Sequence, residues 1–98
     1  MYILEILSGP LDGKTWTFDD EITIGRDDRV ATACITIDRY VSRRHARLWT
    51  SPEGVLHIED LASRNGTRLA GQPVTGDAAL ELGTPFTVGR TMLRVTKS

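Results

Sequence analysis

The sequence predicts an all-β fold, either a sandwich or a barrel. Hydrophobic residues alternate with polar ones at a period of two along most of the chain, and Gly- and Pro-containing segments interrupt this alternation at close intervals. No stretch of about eleven residues or longer shows the 3.6-residue period of an amphipathic helix. Many short strands at regular spacing are typical of sandwiches and barrels.

The predicted strands are rich in β-branched and aromatic residues. The first, residues 2–8, is nearly continuous in apolar residues, which is typical of a strand that is buried on both faces. The others alternate, so that each should turn one face toward a core. In chain order they are residues 15–18, 21–25, 34–38, 46–50, 55–61, 85–89 and 91–95.

The connecting segments have the composition of turns and loops. "SPEG" at residues 51–54 lies between two predicted strands and indicates a hairpin. "SGPLDGKT" at residues 8–15 nearly matches a phosphate-binding P-loop, with Ser8 where the first Gly belongs. A P-loop must open a helix, whereas the residues that follow here indicate a strand. We therefore expect a hairpin turn with Gly13 at a positive φ.

Size, charge and cysteine content limit the function classes. With 98 residues the chain is expected to be one domain, residues 1–98, and its net charge of -1 argues against a general nucleic-acid or membrane binder. Cys34 is the single cysteine, so no internal disulfide can form, which fits a reducing compartment. Neither a signal peptide nor a transmembrane segment is recognisable. We expect a cytoplasmic protein, either whole or cut from a longer one.

Ser42 and His45 could form a nucleophile and its base, which would indicate a small hydrolase. However, a three-residue spacing in an extended segment does not aim one side chain at the other, and no acid that could orient His45 is evident. One cysteine and two histidines cannot form a recognisable metal site, so neither a metal nor another cofactor is expected. Cys34 lies in an alternating run and is most simply a small buried apolar residue.

Cationic and polar residues recur in three loops that follow different strands. The first loop carries Arg26, the second carries Ser42 and Arg43, and the third carries Arg64 and Asn65. If the strands bring these loops together, the side chains form a small cationic cup. Guanidinium, hydroxyl and amide groups are the combination expected of a phosphate receptor.

The order and spacing of these residues resemble the forkhead-associated (FHA) domain. The resemblance is carried by "IGR" at residues 24–26, "VSRRHA" at 41–46 and "DLASRNGTRLAGQPV" at 60–74, and it extends over essentially the whole chain. It implies a β-sandwich of about eleven strands with ligand loops at one end. It also implies recognition of phosphothreonine peptides, and so a module for phosphorylation-dependent protein–protein interaction in signalling rather than an enzyme.

The resemblance also implies a role for each residue of the cup. Arg26, the Ser42 hydroxyl and Arg43 are expected to hold the phosphate, and Asn65 to bond the peptide backbone just after the phosphothreonine. Arg64 occupies a position where the family often has Ser or Thr, and its side chain either contacts the phosphate by charge or points away. The residues expected to support the site are Gly25, His45, Gly66 and Thr67.

The expected partner is a phosphothreonine-containing protein or peptide that is a substrate of a Ser/Thr kinase, with no nucleic acid or membrane involved. The isolated chain is expected to be monomeric. Loops 27–41 and 70–78 are expected to set the preference for residues after the phosphothreonine, with Arg39, Tyr40 and Gln72 as candidates. Three alternatives remain at this point: phosphate-independent association, the hydrolase, and a nucleic-acid binder with stacking aromatics on one strand face.

Overall fold

A computed structural model describes all residues, 1–98, and contains only strands, turns and loops. This confirms the all-β prediction. The strands are β1 (Tyr2–Ile6), β2 (Thr15–Phe18), β3 (Glu21–Gly25), β4 (Ala33–Cys34), β5 (Ala46–Thr50), β6 (Leu56–Asp60), β7 (Thr67–Leu69), β8 (Gln72–Pro73), β9 (Asp77–Ala79), β10 (Phe86–Val88) and β11 (Thr91–Lys97). The chain contains no helix that could span a membrane.

The strands form two sheets, which pack over a shared hydrophobic core. One sheet has the order β2-β1-β11-β10-β7-β8 and the other β4-β3-β5-β6-β9. The core contains 18 buried residues, most of them on the two sheets, and its most enclosed side chains include Leu4, Ile24, Leu48 and Phe86. This is the sandwich that the resemblance implies.

Strand β1 corrects one sequence prediction. It lies between β2 and β11, but only alternate residues are buried, namely Tyr2, Leu4 and Ile6. On the other face Glu5 accepts a hydrogen bond of 3.0 Å from Nε of Arg94 on the neighbouring strand. The apolar run therefore marks a central strand with one half-exposed face, not a strand buried on both sides.

The predicted strand at residues 34–38 is also wrong beyond its first residue. Strand β4 ends at Cys34, and the side chain of Ile37 is 54% exposed. The chain leaves the sheet because the Asp38 carboxylate accepts hydrogen bonds from the Tyr40 and Arg90 backbone N–H groups and from the Thr91 hydroxyl. These bonds hold the segment in a loop against the β10–β11 turn.

Part of the expected loop 70–78 is paired with the sheets. Strand β8 pairs with β7, and strand β9 pairs with β6, each as the edge strand of its sheet. Pro73 of β8 lies opposite Arg68 of β7. Because β8 is an edge strand, the missing N–H of Pro73 is tolerated there. These strands have two and three residues, too few to show an alternating pattern in the sequence.

Strand directions bring the ligand loops to one end of the sandwich. Ile24 of β3 pairs with Ala46 of β5, so the end of β3 lies beside the start of β5. Thr67 of β7 pairs with Val88 of β10, which places the 61–66 loop beside the β10–β11 turn. The hairpin at residues 51–54 lies at the other end of β5, and it forms as predicted.

Candidate functional site

The site begins where β3 passes the segment that precedes β5. Gly25 is buried there, and a Cβ atom on it would lie 2.1 Å from the carbonyl oxygen of Arg43 and 3.0 Å from the Cβ of Ala31. Only a residue without a side chain permits this approach. The supporting role expected of Gly25 therefore has a physical basis in backbone-to-backbone packing.

Arg26 follows Gly25 and is fixed to the neighbouring loop in two ways. Its backbone N–H donates to the Ser42 carbonyl at 3.0 Å, and its Nε donates to the Val41 carbonyl at 3.0 Å. The terminal nitrogens of the guanidinium have no acceptor in the chain. The side chain is exposed, so its charge and two donor groups are oriented and free to contact an anion.

Arg26 and Arg43 line an open cavity of about 360 Å³ that also contains Asp27, Asp28, Arg29 and Thr36. The Asp27 carboxylate is already paired with Arg29, whose Nε and Nη2 donate to its two oxygens at 3.1 and 2.9 Å. These hydrogen bonds lower the pKa of Asp27 to about 2. The charges of Arg29 and Asp27 therefore cancel. The guanidiniums of Arg26 and Arg43 outnumber the remaining carboxylate of Asp28, so the cavity favours anions.

Ser42 and Arg64 meet through one hydrogen bond between two loops. The backbone N–H of Arg64 donates to Oγ of Ser42 at 3.0 Å. Because Oγ accepts this bond, the hydroxyl hydrogen is free to be donated to a ligand oxygen. Arg64 thus takes part through its backbone, while its exposed side chain has no hydrogen bond or ion pair in the chain.

His45 is completely buried and joins the same two loops. Its Nδ1 accepts the backbone N–H of Ser42 at 3.0 Å, so Nε2 carries the ring proton and donates it to the Gly66 carbonyl at 2.9 Å. Burial lowers the pKa of His45, against the opposing effects of the Gly66 bond and of Asp60 and Asp38. The ring is therefore neutral, and neither nitrogen contacts the Ser42 hydroxyl as a base would.

The turn at residues 63–67 is held by Asp60, a residue that the sequence analysis did not single out. Its carboxylate accepts from the Ser63 N–H at 3.1 Å, from Oγ of Ser63 at 2.6 Å and from Oγ1 of Thr67 at 2.7 Å. Ser63 Oγ in turn accepts the Gly66 N–H at 3.0 Å, and Gly66 has a φ of 85°. In the sequence, the spacing of Asp60 three residues before Ser63 is typical of such a turn and could have identified it.

Asn65 lies at the tip of this turn and contacts the loop opposite. Its Nδ2 donates to the Tyr40 carbonyl at 2.9 Å, and the exposed side chain leaves Oδ1 without a donor in the chain. Tyr40 itself is held by its backbone N–H, which donates to Asp38 at 2.9 Å. The amide of Asn65 is therefore oriented before any ligand arrives.

The remaining sequence candidates lie apart from this cluster or at its margin. Cys34 is half-buried, and its Sγ lies 3.4 Å from the Arg26 carbonyl, so it is less enclosed than expected. The ring of His57 stacks on Trp49 at 4.3 Å on the outer face of the second sheet. No group of three or more potential metal ligands occurs. Gly13 has a φ of 92°, as predicted for a turn rather than a P-loop.

The structure thus brings Arg26, Ser42, Arg43, Arg64 and Asn65 to adjoining loops at one end of the sandwich, with His45 packed beneath them. The side-chain hydrogen bonds that fix the cluster each join a side-chain group to a backbone group. Free guanidinium donors, a hydroxyl and a carboxamide oxygen remain at the surface. This set is suited to an anionic group attached to an extended peptide.

Proteins with similar sequences and structures contain the FHA domain that the sequence resembles. FhaB, an FHA domain-containing protein of Mycolicibacterium smegmatis, is 36% identical over 94 residues, which cover 94% of this chain and 58% of FhaB. The chain therefore spans little more than half the length of this relative.

Solved structures share the fold. The FHA domain of CT664 from Chlamydia trachomatis superimposes with a TM-score of 0.90 at 24% identity, over 99% of this chain and 97% of that one. An FHA domain structure from an analysis of phosphothreonine-dependent FHA domain interactions gives 0.83 at 28% identity, over 99% and 96%. The family model of the FHA domain matches residues 22–89, which include every residue of the cluster above. The chain belongs to the FHA domain family.

Proposed function

We propose that this chain binds phosphothreonine peptides and thereby mediates phosphorylation-dependent protein–protein interaction in signalling. The observation that carries the proposal is the anchored but unsatisfied guanidinium of Arg26, whose Nε is bound to the Val41 carbonyl while its terminal nitrogens are free. A preorganised guanidinium loses little side-chain freedom on binding and can form two parallel bonds to phosphate.

Each residue of the cluster has a proposed role. Arg26 and Arg43 neutralise the phosphate, and the Ser42 hydroxyl donates to one of its oxygens. Arg64 adds charge at the rim, where its side chain is exposed. Asn65 bonds the peptide backbone just after the phosphothreonine, through the carboxamide oxygen that has no donor in the chain.

Supporting roles go to the residues beneath the surface. Gly25 allows the close approach of the two loops, and His45 joins them through its hydrogen bonds to Ser42 and Gly66. Thr67 fixes the Asn65 turn by donating to Asp60. Nothing in these roles requires a metal or another cofactor.

Membership of the FHA domain family and one structural relative support the proposal. The structure that matches with a TM-score of 0.83 comes from work on phosphothreonine-dependent FHA domain interactions. By analogy, the partner is a protein that a Ser/Thr kinase has phosphorylated. Residues 1–98 would act as one binding domain, monomeric, non-catalytic and cytoplasmic; these properties stay predictions.

Isothermal titration with a phosphothreonine peptide and its unphosphorylated twin tests the proposal. We expect measurable affinity for the phosphopeptide alone, and a fall in that affinity with added salt, because charge-assisted contacts dominate. Equal affinity for the two peptides would instead favour phosphate-independent association. A phosphopeptide that is consumed during the titration would indicate a hydrolase.

A further inference from the structure

Thr36 carries the only hydroxyl group among the side chains that line the phosphate cavity. It lies in the turn after β4, its side chain is exposed, and it faces the same open space of about 360 Å³ as the guanidiniums of Arg26 and Arg43. None of the roles proposed for the cup uses this residue. A threonine hydroxyl can accept a phosphoryl group, so this cavity can hold a phosphate that belongs to the chain itself.

The backbone on both sides of Thr36 is fixed. On one side Ile35 is buried, and its N–H donates to the Gly25 carbonyl at 2.8 Å. On the other side the Asp38 carboxylate accepts from the Thr91 hydroxyl at 2.7 Å. The side chain between these two anchors is therefore placed at the cavity before any modification takes place.

A phosphate on Thr36 would reverse the charge of the cavity. Three guanidiniums and two carboxylates line it, which leaves a net charge of +1. Phosphothreonine carries a charge of about −1.5 to −2 at pH 7 and three strong acceptor oxygens, so the total would become about −0.5 to −1. A cavity of that sign repels the phosphate of an incoming peptide.

The same phosphate would also be an internal ligand. The terminal nitrogens of Arg26 have no acceptor in the chain, and a phosphate in the cavity supplies one. A group on a short link has an effective concentration of about 1 mM, so an internal contact with a dissociation constant of about 0.1 mM would weaken peptide binding about tenfold.

We propose that Thr36 is a regulatory phosphorylation site, and that a phosphoryl group on its Oγ1 occupies the phosphate cup and closes it to phosphopeptides. A Ser/Thr kinase supplies the group from ATP. The bond from Oγ1 to the γ-phosphorus forms, the bond from that phosphorus to the bridging β,γ-oxygen breaks, ADP leaves, and the hydroxyl proton passes to the base of the kinase. The proposal rests on the proposed function of the cup.

The first test is whether the folded chain accepts phosphate at Thr36. The chain is incubated with ATP and a Ser/Thr kinase chosen because it phosphorylates Thr36 in a synthetic peptide of residues 30–45. Mass spectrometry of the tryptic fragment 30–39 locates the phosphate and separates Thr36 from Thr32. We expect phosphate on Thr36, and loss of this label in Thr36→Val. A kinase that modifies the peptide but not the folded chain would overturn the proposal.

Cys34 allows the phosphorylated chain to be assembled without a foreign residue. A thioester of residues 1–33 is ligated to a synthetic segment 34–98, which begins with the single cysteine and carries phosphothreonine at position 36. The matched control carries phosphoserine at Ser98, which adds the same charge. Ser98 is exposed and follows the end of β11 that lies away from the β10–β11 turn. A third ligated chain carries no phosphate.

Isothermal titration with a phosphothreonine peptide compares the three ligated chains. We expect affinity to fall about tenfold or more with phosphate on Thr36, and to stay unchanged with phosphate on Ser98. Equal affinity of the two phosphorylated chains would overturn the proposal. So would weakening that grows with protein concentration, because the phosphate would then bind a second copy of the chain. If the chain without phosphate fails to bind the peptide, the proposed function fails and both proposals fall.

Phosphorus NMR at a series of pH values tests whether the phosphate on Thr36 lies in the cup. Contact with a guanidinium favours the doubly charged phosphate, so its second pKa should lie below that of the phosphate on Ser98, and Arg26→Ala should reduce the difference. The same second pKa in both chains would overturn the internal contact.

Discussion

The backbone N–H of Ser42 donates to Nδ1 of His45 across 3.0 Å, in a ring that is completely buried. The same ring donates from Nε2 to the Gly66 carbonyl at 2.9 Å. One side chain thus sets the distance between the loop that presents the Ser42 hydroxyl and the turn that presents Asn65. The position of a surface site depends here on a residue that no ligand can touch.

His45→Ala should lower the stability of the fold and weaken phosphopeptide binding with it. The substitution leaves the part-buried Ser42 N–H and Gly66 carbonyl without their side-chain partner, which costs about 1–3 kcal/mol. In a domain of this size each kcal/mol lowers the melting temperature by roughly 4–8 °C. A thermal melt and a peptide titration on the same sample measure both effects, and His57→Ala is the control. Normal stability with no binding would instead make His45 a direct ligand contact.

The protonation of His45 should make stability depend on pH below about 6.5, the usual pKa of histidine. Burial lowers the pKa of His45 in the folded state, so the unfolded chain takes up its proton first as the pH falls. Full stability is present above about pH 6.5 and decreases as the pH falls toward the folded-state pKa. Urea unfolding at a series of pH values between about 5 and 8 measures this. The slope should persist in His57→Gln and disappear in His45→Gln; a flat profile in the unmodified chain contradicts the prediction.

Further acidification should remove a second contribution to stability. Burial acts to raise the pKa of Asp60, but the hydrogen bonds from Ser63 and Thr67 outweigh it and the pKa lies below its usual range. A lowered pKa in the folded state means that the stabilisation is present above about pH 4 and is lost as the pH falls further. Thr67→Val removes one of the donors, so the loss of stability below about pH 4 should be smaller in that variant. An unchanged acid profile in Thr67→Val would contradict this account of Asp60.

Gly25→Ala should be more damaging than Gly→Ala changes in the turns where no atom lies within 4 Å of the added Cβ. Its Cβ would lie 2.1 Å from the Arg43 carbonyl oxygen, so the two backbones must move apart. Such overpacking costs about 1–3 kcal/mol or more, and it would also displace Arg26 from Ser42. Gly54→Ala in the hairpin is the control: its φ is 82°, but no atom lies within 4 Å. Phosphopeptide titration and denaturant unfolding of both variants would show whether binding is lost in Gly25→Ala alone.

The strands of the fold could largely be predicted from hydrophobic alternation, as the buried pair Ile22 and Ile24 on β3 shows. The same rule failed at Ile37, because the pattern of side chains does not show that Asp38 bonds to Arg90 and Thr91, more than fifty residues away. Tertiary hydrogen bonds of this kind outweigh a local preference for the extended strand.

The cup residues could be chosen from the sequence because they are polar groups at strand ends, but their partners could not. The bond from Arg26 Nε to the Val41 carbonyl joins a side chain to a backbone group, and any residue supplies a carbonyl. The bond from the Arg64 N–H to Oγ of Ser42 also joins a backbone group to a side chain. Sequence patterns identify side-chain chemistry, whereas backbone partners depend on which loops the sheets bring together.

Arg26→Ala should abolish phosphopeptide binding in a folded protein. The guanidinium contributes charge-assisted bonds to phosphate of about 1.5–3 kcal/mol each, so a loss of tenfold or more is expected. Because the side chain is exposed and has one bond within the chain, the melting temperature should change little. Arg68→Ala is a matched control, since Arg68 is an exposed arginine on β7 outside the cup. Unchanged affinity in folded Arg26→Ala would refute the phosphate cup.

Replacing phosphothreonine by phosphoserine in the best peptide should weaken binding at least about tenfold. Both residues present the same phosphate oxygens to Arg26 and Ser42, so only the threonine methyl group can discriminate. Simple burial of one methyl is worth about 0.8 kcal/mol, which is roughly fourfold. A fitted apolar niche raises this to about 1–3 kcal/mol, or 10–200-fold, and the family resemblance implies such a niche.

The loop between Arg26 and Ser42, together with the Asn65 turn, would have to form that niche here. Arg64 is the residue on which the size of the preference depends, because its exposed side chain stands where the family often has a smaller residue. Arg64→Ser should therefore keep or sharpen the preference while it lowers the affinity for both phosphopeptides by a similar factor. An Asp or Glu mimic, with less charge and fewer oxygens, should bind weakly or not at all. Equal affinity for the two phosphopeptides at one salt concentration would leave a generic anion site with no methyl niche.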